Sequence, residues 1–295
     1  MNTQQRPSWP DDFVALDGGR LCVSPDWVNA FQAAGWTSLD QVLNSSLLQQ
    51  MTRFAARDNC YADLPETSLR LFVKRHRVPP QTAAGRSAAE IETAAVERCH
   101  QAGVPTMKIA AVGVPQGGDA DRTGYNSCLI SIQAGGGISA HERLVELRQS
   151  GDDPSARNEI QSILQAVAET ARRLHASGLF HGDCHLPHFM LGQDDLGNVS
   201  AILIDLQLLS RRRGMASQSK WLKDLGQLVA SLRRTGISPA AIDDWYKSYL
   251  LQGLPVRSVP WTRSLLQAAV ESRILWRRAE GFYRRNLRPW KNRSV

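Results

Sequence analysis

Strand-type alternation of apolar residues dominates the first half of this chain and helical periodicity the second. That division restricts the fold to the α+β class, with strands and helices in separate parts. Residues 68–76 alternate, with Leu69, Leu71 and Val73 on one side and Arg70, Phe72 and Lys74 on the other. Pro79-Pro80 ends that strand. Ser87 with Glu90 reads as a capping box for a helix carrying Ile91, Ala94, Ala95, Val96 and Cys99, stopped by Gly103 and Pro105. Residues 108–114 and 127–133 read as two more strands around a turn-rich loop. The clearest helix covers residues 157–177, where Ile160, Ile163, Leu164, Val167, Ala168, Ala171 and Leu174 keep one face and Gly178 ends it. A short apolar strand over 201–206 and helices over 221–232, 240–251 and 273–293 follow.

The 295 residues suit two lobes. Residues 1–50 are expected to form a helical N-terminal extension and 51–134 a small, mainly β N-lobe. Residues 135–295 form a mainly helical C-lobe, entered through the hinge-like Gly135-Gly136-Gly137. Charged residues at 21% beside 42% apolar residues exclude a disordered chain. No apolar run reaches the 18 or more residues a membrane-spanning helix needs. The N-terminal MNTQQRPSWPDD has no apolar stretch, and five scattered cysteines without a CxxC read as reduced thiols, so a cytoplasmic location is expected. A net charge of +7 suits an anionic partner. It is spread out and comes with no recognition motif, so nucleic acid is not the expected partner. Oligomeric state stays open.

The chemistry concentrates in residues 179–191, Leu-Phe-His-Gly-Asp-Cys-His-Leu-Pro-His-Phe-Met-Leu, and in Ala201-Ile-Leu-Ile-Asp-Leu206. A loop aspartate, Asp183, precedes a possible metal ligand, His188, by five residues, and a strand-end aspartate, Asp205, lies 22 residues beyond it. These are the parts of a kinase site. One carboxylate accepts the proton of the attacking hydroxyl, while the other, with the +5 residue, holds Mg²⁺ against the phosphates.

On these residues the chain resembles the protein-kinase-like superfamily, and more closely the lipopolysaccharide core kinase (Kdo/WaaP) family. His181-Gly182-Asp183 stands where protein kinases have H-R-D, and His188 takes the place of their asparagine. Ile204-Asp205-Leu206 replaces D-F-G, and Lys223-Asp224-Leu225-Gly226-Gln227-Leu228 matches a later motif of the family. The resemblance implies a bilobal kinase-like fold and an ATP- and Mg²⁺-dependent transfer to a sugar hydroxyl of a lipopolysaccharide core or similar glycolipid. It implies Asp183 as catalytic base, Asp205 as metal ligand and His188 as a second metal or phosphate contact. Lys74 would pair with the ATP phosphates and Glu92, or in its place Glu90, would hold Lys74. Asp224 would tie the catalytic loop to its helix and His181 would anchor that loop by packing.

The sequence departs from the kinase pattern in three ways. No glycine-rich loop precedes Lys74, and residues 55–66 contain no glycine. The 19 residues from Asp205 to Asp224 leave no room for a peptide-docking segment, which disfavours a protein substrate. Gly182 replaces the arginine through which loop phosphorylation acts. Arg211, Arg212 and Arg213 are candidate contacts for an anionic acceptor. His185 is a candidate on the substrate side, and Cys184 reads as core. The eight basic residues from Arg273 to Arg293, interleaved with Trp276, Phe282, Tyr283 and Trp290, suit peripheral contact with the inner membrane or a phosphorylated glycolipid. Three other readings compete: a metal-dependent hydrolase built on His181, Asp183, His185 and His188; dinucleotide binding at residues 135–140; and a catalytically weak kinase-like binding module.

Overall fold

The alternating segment forms strand β5, Arg70–His76, with Leu71 and Val73 fully buried on one face. It lies in a seven-stranded sheet with β1 (Val14–Leu16), β2 (Leu21–Val23), β3 (Gln49–Arg53), β4 (Arg57–Asp63), β6 (Ile109–Gly113) and β7 (Ser127–Ile132). The strand order is β1-β2-β6-β7-β5-β4-β3, and every pairing is antiparallel. The computed structural model describes residues 12–64, 70–77, 86–114, 124–149, 153–212, 215–250 and 264–274. It divides into two units, 1–137 with 202–208, and 138–201 with 209–295.

In the first unit, helix α3, Ala88–Gln101, begins with both halves of the Ser87/Glu90 capping box in place. The apolar cluster of this unit packs Leu71, Val73, Cys60, Ala62 and Ile130 of the sheet with Trp27, Phe31, Trp36, Leu39, Val42 and Leu43. Phe31 belongs to α1, Val28–Ala33, and the last three to α2, Leu39–Leu43. The described part of the 1–50 segment, from residue 12, is therefore not a separate helical extension. Residues 12–50 supply β1, β2, α1, α2 and the start of β3 to the first unit, because Leu21 and Val23 hydrogen-bond into the sheet through β6 and find their burial there. Phe31→Ala is expected to cost about 3–5 kcal/mol, measured as a lower midpoint in urea. An unchanged midpoint would mean that these helices only decorate the sheet.

The second unit is mainly helical. Its helices are α4 (Ala140–Gln149), α5 (Pro154–Ala176), α6 (Met215–Arg234), α7 (Pro239–Leu250) and α8 (264–274). Helix α5 buries Ile163, Leu164, Val167, Ala168, Ala171 and Leu174, six of the seven stripe residues, with Ile160 half-buried. It packs on α7, whose Trp245 and Tyr249 rings stack at 5.3 Å between centroids. Short strands β8 (Leu179–Phe180) and β11 (Ser210–Arg211) pair with each other, and β9 (Phe189–Gln193) pairs with β10 (Val199–Leu203). The chain enters the second unit at Ile138, and Ile202–Leu208 returns to the first, a crossing that segmentation at residue 135 does not anticipate. The segment after Ile274, with most of the basic aromatic tail, and Arg213 lie outside the described residues.

The Gly135-Gly136-Gly137 motif follows β7, which is antiparallel to both its neighbours. Dinucleotide binding needs that motif between parallel strands of a βαβ unit, so that reading is set aside. Among the described residues, no helix is long and apolar enough to cross a membrane.

Candidate active site

Two sets of residues carry the sequence motifs, one in each unit. In the first unit, Lys74 extends from β5 and donates to Glu92 Oε1 at 2.6 Å and to Asp205 Oδ1 at 3.0 Å. Glu92 is fully buried on α3, and both its oxygens accept hydrogen bonds. Oε1 also accepts the Leu206 N–H at 3.2 Å, and Oε2 accepts Gln207 Nε2 at 3.0 Å. Glu92 is thus the helix acid beside Lys74. Glu90, the fallback, is occupied as the cap of α3, accepting from Ser87 N at 2.6 Å.

Asp205 sits two residues beyond the end of β10, with a φ of 57° that side chains rarely adopt. Its backbone is held there because the next two residues bond to Glu92. Arg57, the first residue of β4, completes the set: Nη1 donates to Oδ1 at 3.3 Å and Nη2 to Oδ2 at 3.2 Å. Burial opposes the charge on Asp205, but Lys74 and Arg57 outweigh it and hold the carboxyl well below the usual range. Neighbouring His76 is buried, and its Nε2 has no hydrogen-bond partner among the described residues. Burial pushes its pKa down to about 4 and Glu92 only partly opposes this, so the ring is neutral near pH 7.

In the second unit, the loop after β8 hangs from one face of α6. Asp224, fully buried, accepts the His181 N–H at 2.7 Å through Oδ2 and the Gly182 N–H at 2.9 Å through Oδ1. Gln227 accepts the Cys184 N–H at 3.3 Å, and Ser231 the Leu186 N–H at 3.0 Å. Lys223 donates to the Gly182 carbonyl. Gly182 has a φ of 81°, where a side chain would be strained, so the missing arginine follows from the backbone path.

On this frame the Asp183 carboxylate is 45% exposed, with Oδ1 3.1 Å from Gln227 Nε2 and 3.3 Å from His185 Nε2. Burial lowers the His185 pKa, with Asp183 opposing. His181, fully buried, accepts the Asp183 N–H on Nδ1 at 3.3 Å. His188 Nδ1 lies 2.8 Å from the Asp183 carbonyl, and the two imidazoles stack at 5.4 Å. Cys184 is buried, as expected.

Removing Asp224 strands two buried N–H groups at about 1–3 kcal/mol each. Asp224→Ala is therefore expected to lower the melting temperature by roughly 10 °C and to abolish turnover. Full thermal stability would show that Asp224 does not clamp the loop.

A family model, lipopolysaccharide kinase (Kdo/WaaP) family, matches residues 71–249, more than half of the chain. The chain belongs to the lipopolysaccharide kinase (Kdo/WaaP) family. It is 27% identical over 204 residues to the lipopolysaccharide core heptose(I) kinase WaaP of Pseudomonas aeruginosa, a match covering 68% of this chain and 70% of the relative. Among solved structures, a WaaP in complex with acyl carrier protein superposes with a TM-score of 0.61 at 20% identity, over 90% of this chain and 99% of that one. The BubR1 kinase domain superposes with a TM-score of 0.51 at 13% identity, over 96% and 89%. The fold is the bilobal, protein-kinase-like α+β fold, and this member of the Kdo/WaaP family is an enzyme of the kinase class.

In the Kdo/WaaP frame the four-residue hydrolase cluster finds no support. Among the described residues, no group of three His, Cys, Asp or Glu side chains is placed to hold a metal. Mg²⁺ makes a different demand. It takes one or two carboxylates, with nucleotide phosphates and water completing the shell. Asp205, an ionised oxygen donor beside two cations that suit phosphate, fits that demand. Sequence reasoning missed Arg57, Lys223, Gln227 and Ser231. Lys223 and Gln227 were within reach, since both lie in the Lys-Asp-Leu-Gly-Gln-Leu motif. Arg57 and Ser231 carry no motif signal.

Proposed function

We propose that this chain transfers the γ-phosphoryl group of ATP to a sugar hydroxyl of a lipopolysaccharide core or similar glycolipid. The observation that carries the reading is Lys74 bonded at once to Glu92 and Asp205, in a chain of the Kdo/WaaP family. Lys74 neutralises nucleotide phosphate charge, and Glu92 holds it extended. Asp205 would hold Mg²⁺, which would supply positive charge against the nucleotide phosphates. His188, whose Nδ1 donates to the Asp183 carbonyl, is the second metal or phosphate contact. Asp183 accepts the proton of the attacking hydroxyl. Its carboxylate is accessible while Gln227 fixes its direction.

The acceptor is a saccharide rather than a peptide. Helix α6 begins ten residues after Asp205, which leaves no segment on which a peptide could dock. The basic aromatic stretch 273–293 holds the protein at the cytoplasmic face of an anionic membrane, where a lipid-linked acceptor is presented.

The test is transfer of label from γ-labelled ATP to crude envelope glycolipid, with and without Mg²⁺. Metal-dependent label in the glycolipid is the expected result. Nucleotide binding without transfer would make the chain a kinase-like binding module, and no nucleotide binding at all would overturn the reading.

A further inference from the structure

The hairpin that precedes Lys74 has no glycine with which to wrap a phosphate. Strands β3 and β4 are joined by Ala55-Ala56, closed by the Phe54 N–H to the Arg57 carbonyl at 2.8 Å. A glycine-rich loop works by bringing bare backbone N–H groups against phosphate oxygens. Two alanines keep a Cβ at each position and cannot approach as closely. The residue that follows them is Arg57.

Its side chain lies over the Phe54 ring, with the guanidinium 5.4 Å from the centroid, and grips both oxygens of Asp205. Arg57 faces His76 directly across the β4–β5 register, and Lys74 shares the face of His76 two residues earlier. Two cations, Arg57 and Lys74, are therefore set against two acids, Asp205 and Glu92. Glu92 keeps its hold on Lys74, whereas among the described residues the guanidinium of Arg57 is anchored by Phe54 and Asp205. A divalent cation taking Asp205 replaces the attraction holding Arg57 with repulsion. The planar fork of a guanidinium matches two phosphate oxygens as well as it matches a carboxylate. His76 Nε2, buried on the same face and unpartnered among the described residues, is a further polar group that a ligand or its water can satisfy.

We propose that Arg57 is a phosphate-binding residue which leaves Asp205 for the phosphates of the incoming nucleotide, doing with one side chain what a glycine-rich loop does with backbone N–H groups. The inference rests on the kinase reading above, and its test separates the two. Dissociation constants for MgATP and for adenosine are measured by calorimetry on the full chain, as wild type, Arg57→Ala and Arg57→Lys, with the melting temperature of each. Arg57→Ala is expected to weaken MgATP about 10- to 100-fold and to leave adenosine unchanged. Arg57→Lys recovers part of the loss, since it restores charge without the fork. Equal MgATP affinity in wild type and Arg57→Ala would overturn the proposal while leaving the kinase reading intact. So would parallel losses for MgATP and adenosine with a fallen melting temperature, which would make Arg57 a brace. A wild type that binds neither ligand would overturn the kinase reading, and the role of Arg57 with it.

Discussion

Asp183→Ala is expected to lower kcat by about a thousandfold, the middle of the range for a lost general base, with little change in the KM for ATP. The carboxylate is 45% exposed and its loop is held through other residues, so the melting temperature should stay within about 2 °C. Its contacts with Gln227 and His185 fix direction rather than fold. A steady-state assay with glycolipid acceptor, run beside a thermal melt, separates chemistry from folding. A variant retaining a tenth or more of wild-type kcat would remove Asp183 as the base, and one that fails to fold would contradict its exposed placement.

Asp205→Asn should also cost at least about a thousandfold in turnover, since metal charge stabilisation is worth several kcal/mol and each 1.36 kcal/mol is tenfold. Here stability responds too, because Lys74 and Arg57 lose a shared counter-charge. The pH dependence of that loss has a definite sign. The folded carboxyl titrates below its unfolded value of about 3.9. Its contribution is therefore complete above that unfolded value and disappears only as pH falls through the lower folded one. The stability gap between wild type and Asp205→Asn should be constant from about pH 5 to 8 and close below about pH 4. Urea midpoints across that span check it. A gap that already shrinks between pH 7 and 5 would mean Asp205 is not held as an ion.

The parts of this site that were legible in the sequence are those where one residue type has one physical use. Lys74 stood out as the cation of a clean alternation, and the Ser87/Glu90 box set the phase of α3, leaving Glu92 rather than Glu90 to turn inward. Strand β4 was hidden because Asp58, on its buried side, is polar. Its burial works against ionisation, yet Tyr125 and Arg77 more than compensate, and a buried acid held in this way breaks the apolar pattern. Strands β1 and β2 have three residues each, too short for any period to register. Arg57 was silent because its meaning lies in a partner 148 positions away. The apolar run over 201–206 located the strand but shifted it: β10 spans Val199–Leu203, and Asp205 beyond it takes a positive φ that tertiary bonds hold.

The span matched by the family model and the span that folds are different lengths of chain. The family match begins at residue 71, one position into β5. A gene fragment trimmed to that match would discard four of the seven strands, along with Arg57 and the Trp27, Phe31 and Trp36 side chains that cap the sheet's apolar cluster. Expression boundaries for this family member should therefore be drawn from sheet connectivity, upstream of Val14, and not from the edges of the family-model match.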